Sequence, residues 1–223
     1  MIKKIIRNIG TKLMKISEPK HTYPDLKGDR DIEWSFVAAY CPEGPGDALD
    51  FGTGGSSLGL IAARKKFHVT SIDLGRIDWP YAYPKLKFIQ GDLLEIPLPE
   101  QKFDLIINCS TIEHVGLAGR YNILHNKPDG DLEVMKYLKK IMKPNGSMLI
   151  TIPVGRDSVF KPLHRVYGLE RLPKLFKGYT IEHEEFWVKN EDNQWIMADK
   201  TEALMKEPQS NLYGLGCFVL RNS

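Results

Sequence analysis

The fold is decided by Ala48-Leu49-Asp50-Phe51-Gly52-Thr53-Gly54-Gly55-Ser56-Ser57, an apolar run that breaks into glycines and is followed by a helical pattern over about 57–66. Glycines at such a turn let the backbone come close to a ligand, and the start of the next helix offers free N–H groups. The stretch therefore predicts strand, ligand-binding turn and helix in succession. Asp50, two residues before the first glycine, would sit awkwardly beside a pyrophosphate and well beside an ammonium group.

Working outward, further buried strands are expected at Asp47–Phe51, His68–Asp73, Lys87–Gln90, Phe103–Asn108 and Ser147–Ile152. Helices or crossovers separate them, with one clear helix over Leu132–Met142 that ends in Lys143-Pro144-Asn145-Gly146. Alternating short apolar strands and helices mean a mostly parallel sheet covered on both faces, an α/β Rossmann-like, doubly wound fold. Upstream, 21–30 reads as a loop and Asp31–Tyr40 as a short helix with an acidic first turn. Downstream the rhythm breaks: Thr180–Lys189, Gln194–Met197 and Tyr213–Arg221, with a short helix near Asp199–Lys206, read as antiparallel strands closing one edge.

The chain has 223 residues, 42% hydrophobic and 26% charged, which suits one soluble domain over 31–223 and excludes disordered and fibrous classes. Cys41, Cys109 and Cys217 match neither a zinc site nor a disulfide framework and read as reduced thiols of a cytoplasmic protein. The net charge of +3 is concentrated: Met1–Lys20 holds six Lys or Arg against one Glu, leaving 203 residues at −2 and no polyanion-binding body. Nucleic acid is excluded as a partner on that ground. Within 1–30, Ile2, Ile5, Ile6, Ile9, Leu13 and Ile16 share one helical face and lysines with Arg7 the other. Residues 1–17 would make a peripheral membrane contact or pack on the body or a second subunit.

Asp73, 21 residues after Gly52 and at the end of the second strand, is placed to accept hydrogen bonds from ribose hydroxyls, with Leu74 beside it. Gln90-Gly91-Asp92-Leu93 puts a further carboxylate at the crevice, able to accept from an adenine amino group. Three carboxylates at three successive strand ends suit a ligand with an amino group, a ribose and an adenine and no phosphate. A dinucleotide fingerprint would need glycine where Ser57 stands, so a nicotinamide-dependent oxidoreductase is the disfavoured alternative.

These residues, with Phe103-Asp104-Leu105-Ile106-Ile107-Asn108-Cys109-Ser110-Thr111-Ile112-Glu113-His114-Val115, resemble the ordered motifs of class I S-adenosylmethionine-dependent methyltransferases over roughly 31–153. Asp129-Gly130-Asp131 and His164-Arg165-Val166-Tyr167 further resemble a little-characterised domain family in that superfamily, often found beside sugar and polysaccharide genes. The resemblance implies S-adenosyl-L-methionine as cofactor. It assigns Asp50 and the Gly52, Thr53 and Gly54 backbone to the methionine end, Asp73 to the ribose, Asp92 and the Leu93 amide to the adenine, and Cys109 or Ser110 to the floor. Ser56 stands where many members carry glycine and would cap the following helix. Trp34 would either cover the cofactor or pack in the core.

Methyl transfer needs alignment and exclusion of water, and a hydroxyl acceptor gains from a positioned base. His114 and His164 are the two candidates. Arg120, Arg165 and Tyr167 are the candidate acceptor contacts, with Tyr121 and His125 in the same long loop as Arg120. The expected reaction is O-methylation of a small or carbohydrate-type acceptor. No metal site is expected: no spacing among Asp104, Glu113, Asp129 and Asp131 singles one out, and Asp131 reads as a helix cap. A non-catalytic partner subunit that keeps the fold is the remaining alternative.

Overall fold

The computed structural model describes residues 28–119, 121 and 123–223. The expected amphipathic segment at 1–17 and Arg120 lie outside them. Among the described residues ten strands and five α-helices follow in the order α1 (Asp29–Tyr40), β1 (Gly46–Phe51), α2 (Leu58–Arg64), β2 (Phe67–Asp73), β3 (Leu86–Gln90), β4 (Phe103–Cys109), α3 (Gly130–Ile141), β5 (Met142–Val154), β6 (Ser158–Phe160), β7 (His164–Val166), α4 (Arg171–Leu175), β8 (Tyr179–Lys189), β9 (Trp195–Ala198), α5 (Lys200–Met205) and β10 (Gly214–Asn222). One turn of 3-10 helix, Ile112–His114, follows β4.

Eight strands form one sheet in the order β3-β2-β1-β4-β5-β10-β8-β9, and β6 pairs with β7 alone. Pairings from β3 through β5 are parallel; β10 runs antiparallel to both β5 and β8, and β8 to β9. The strand order reverses between β1 and β4, which opens a crevice beyond their carboxyl ends. Successive residues on one strand feed opposite cores. Leu49 and Ile106 pack with Val134, Met135, Leu138 and Ile141 of α3, whereas Ala48, Leu105 and Ile107 pack with Phe36 and Val37 of α1 and Leu58 and Ala62 of α2.

Several local readings change. Helix α3 begins at Gly130 and stops at Ile141, so Met142 already belongs to β5, whose register shifts across the Pro144–Gly146 turn between Phe103↔Met142 and Leu105↔Ser147. Asn145 takes φ 61° there. Asp131 is not a cap: its fully buried carboxylate accepts from the Tyr167 hydroxyl at 3.1 Å and from Arg171 at 2.6 and 2.9 Å. A real cap stands on α5, where Asp199 accepts from the Glu202 amide at 2.8 Å.

Candidate cofactor and acceptor site

The crevice holds a cavity of about 610 Å³ lined by Arg30, Trp34, Asp50, Gly52 to Ser56, Asp73, Leu74, Asp92, Leu93, Cys109, Ser110, His114 and Tyr121 among others. Its floor is the glycine turn. Gly52 adopts φ +70°, and a Cβ there would lie 2.2 Å from Thr111 Cγ2, so Thr111 packs where a side chain would be. The Gly52 amide donates to the Ile72 carbonyl at 2.8 Å and the Gly54 amide to Asp73 Oδ2 at 2.9 Å. A Cβ on Gly55 would meet nothing within 4 Å, which leaves the cavity side of the turn open to a ligand. The helix that follows has Ser57 at its N-cap position, but the hydroxyl reaching its first amide is that of Ser56, 3.4 Å from the Leu58 nitrogen.

The three carboxylates differ in their surroundings. Asp50 is buried and accepts from the Thr53 hydroxyl at 2.5 Å and the Ser71 hydroxyl at 3.4 Å. Burial pushes its pKa up from 3.8 to about 6, against those hydrogen bonds. Asp73 binds the Gly54 and Gly75 amides through separate oxygens, at 2.9 and 2.8 Å, so the ribose candidate also pins the glycine turn. Asp92 accepts from the Leu94 amide at 2.9 Å. Each carboxylate oxygen has two lone pairs, so these contacts leave room for a ligand.

Cys109 and Ser110 close the floor. The Cys109 sulfur lies 3.4 Å from the Thr151 hydroxyl oxygen, and burial drives its pKa well up, so it stays a neutral thiol. Ser110, at φ 47°, turns its hydroxyl away to Glu33. Sequence reasoning missed Glu33, which is fully buried on α1 and accepts from Ser110, from Thr151 at 2.9 Å and from Arg30. Burial raises its pKa, and Arg30 opposes the rise. Its signal was available: Glu33 falls three and four residues before Phe36 and Val37, on the apolar face of its helix.

The two histidines separate. His114 lines the cavity, with Nδ1 2.6 Å from the Leu163 carbonyl oxygen. A carbonyl only accepts, so Nδ1 carries the proton and Nε2 the lone pair in the neutral ring. Nε2 lies 3.5 Å from Glu113 Oε1. His164 is buried off the cavity wall, its ring centroid 5.0 Å from Tyr213 and 6.4 Å from His114.

Arg165 and Tyr167 also lie off the cavity wall. Both are fully buried. Arg165 donates to the carbonyls of Val115 at 2.6 Å and Glu113 at 3.4 Å with one nitrogen, and to those of Lys127 and Pro128 at 3.2 Å with the other. It thereby joins both ends of the loop that carries Tyr121. Tyr167 spends its hydroxyl on Asp131. Trp34 and Tyr121 do reach the cavity, 37% and 48% exposed. Asp104 sits at the opposite end of β4, binding the Asp47 amide and Lys143 at 2.8 Å.

Strand order, glycine turn and strand-end carboxylates together define the class I S-adenosylmethionine-dependent methyltransferase fold. Solved structures bear this out: the Burkholderia thailandensis 1,6-didemethyltoxoflavin-N1-methyltransferase, with its substrate and S-adenosylhomocysteine bound, superposes with a TM-score of 0.59 at 16% identity over 87% of this chain and 82% of that one. Within the fold, residues 97–217 match the family described as Caenorhabditis protein of unknown function, DUF268; the match spans more than half of the chain, which belongs to that family. Curated relatives include the demethylmenaquinone methyltransferase of Lysinibacillus sphaericus, 25% identical over 56% of this chain and 49% of its own length. The sterol 24-C-methyltransferase of Pneumocystis carinii is 29% identical over 50% of this chain and 31% of its own. The chain thus spans about half or less of the length of these relatives. No helix of the described residues is long and apolar enough to cross a membrane.

Proposed function

We propose that the chain binds S-adenosyl-L-methionine in this cavity and methylates an oxygen of a small or carbohydrate-type acceptor. The observation that carries the reading is the convergence of Asp50, Asp73 and Asp92 with an open glycine turn on one cavity that His114 also lines. Asp50 with the turn would hold the methionine end, Asp73 the ribose, and Asp92 with the Leu93 amide the adenine; Cys109, kept neutral, would face the sulfur without attacking it. When bound, the cofactor supplies a methyl group already activated on a sulfonium, so the protein's task is to align, to exclude water and to manage one proton. His114 is suited to that proton: the Leu163 carbonyl fixes its tautomer, and the Glu113 carboxylate beside Nε2 favours the imidazolium that forms. The exposed rings of Trp34 and Tyr121 offer flat, half-apolar faces of the kind on which sugar rings rest.

The test is to incubate the protein with S-adenosylmethionine and panels of nucleotide sugars, glycans and small phenols, and to follow S-adenosylhomocysteine formation. Turnover lost in His114→Ala, with cofactor binding retained, supports the reading. Tight cofactor binding with no turnover on any acceptor would point to a non-catalytic partner subunit, and transfer confined to amines or carbon acids would move the reaction off oxygen.

A further inference from the structure

The cavity has a positive side that pattern reading passed over. Among the described residues lining it, Arg30 is the one lysine or arginine, facing a wall that includes Asp50, Asp73 and Asp92. It lies in the first turn of α1, and its partner Glu33 also accepts from Ser110 at the tip of β4. The next residue, Thr111, packs on Gly52 and donates to its carbonyl at 3.3 Å. Arg30 is therefore tied to the tip of β4 that also backs the glycine turn, away from Asp73 and Asp92 at the ends of β2 and β3.

We propose that Arg30, held in place by Glu33, takes the carboxylate at the amino-acid end of the cofactor; the inference rests on the cofactor reading above. Glu33 is an anchor and no ligand contact: its side chain is 0% exposed, with one oxygen on Ser110 and Thr151 and the other on Arg30. Arg30 is the opposite, 49% exposed with only Nη1 on Glu33, so its remaining guanidinium N–H groups have no partner among the described residues. A fork of this kind, anchored at one corner and open at the others, matches a carboxylate. The charges also sort: the cofactor carries two positive groups and one negative, and the wall offers three carboxylates and one guanidinium. Glu33 acts through Arg30 and is a positioning residue.

The experiment titrates the full chain and its Arg30→Gln, Arg30→Lys and Glu33→Gln variants with S-adenosylmethionine and with its decarboxylated form, which keeps the ammonium and sulfonium. The native chain is expected to bind the decarboxylated ligand roughly 10- to 100-fold more weakly, the size of a charge-assisted pair. Arg30→Gln should bind both ligands alike, at the native level for the decarboxylated one, with Arg30→Lys and Glu33→Gln in between. Equal affinity of the native chain for the two ligands would overturn the proposal, as would an Arg30→Lys variant that weakens both by the same factor. A native chain that binds neither contradicts the cofactor reading itself, a result distinct from either.

Discussion

Two polar blocks of this chain look alike on paper and do opposite things. Asp50, Asp73 and Asp92 end parallel strands where the sheet order reverses, and all three line the cavity. His164, Arg165 and Tyr167, on and just beyond β7, are buried and spend themselves on the protein: Arg165 on four carbonyls, Tyr167 on Asp131. A polar residue at the carboxyl end of a parallel strand has only the crevice to face. One packed beneath a long loop has that loop's unpaired carbonyls to satisfy, and a buried carbonyl without a donor is costly.

Substitutions can break this contrast, beginning with the largest effect. Gly52→Val places a β-branched side chain at φ +70° and onto Thr111, so cofactor binding measured by calorimetry should fall at least about 100-fold. His114→Ala should lower kcat by roughly 10²- to 10⁴-fold with the cofactor Kd unchanged; unchanged turnover would remove His114 as the base. Arg165→Met should leave cofactor affinity within about twofold yet cost about 3 kcal/mol in urea unfolding, because the loop carbonyls lose their donor and buried Asp131 loses a cation 3.7 Å away. A stable Arg165→Met protein with a raised acceptor KM would return Arg165 to the substrate.

The smallest effect concerns pH. Asp50 has its carboxyl raised from 3.8 to about 6 by burial, so between those values the folded protein holds a proton the unfolded chain has released. Stability without cofactor should therefore fall as pH rises from about 4 to about 6 and level off above, by about 3 kcal/mol. Asp50→Asn should remove that slope in denaturation curves and, at pH 8, be the more stable protein. Cofactor affinity should run the other way in the native chain, rising through pH 6 as the carboxylate forms. A slope that survives in Asp50→Asn assigns it to another group.

The half proposed to hold the cofactor was legible because strand periodicity fixes where each run ends, and the end of a parallel strand fixes what faces the crevice. Strands β1 to β4 were expected to within one residue at each end, and their terminal carboxylates came with them. The acceptor half was not. Choosing between His114 and His164 requires knowing that β7 folds behind the 3-10 turn, a long-range pairing with no local pattern. Asp131 reads as a cap because it begins a helix, and only the packing of α4 shows it as the partner of Arg171. Arg30 and Glu33 lie on a helix whose apolar stripe was visible, yet nothing local says that the stripe covers the tips of β4 and β5.

The central claim is that this cavity is a cofactor site for an adenosyl amino acid. Calorimetric titration of the native chain with S-adenosylhomocysteine and with NAD tests it most directly, with Asp73→Ala in parallel. The account predicts micromolar binding of S-adenosylhomocysteine, none of NAD, and loss of the first in Asp73→Ala. Binding of NAD with silence toward S-adenosylhomocysteine would contradict it.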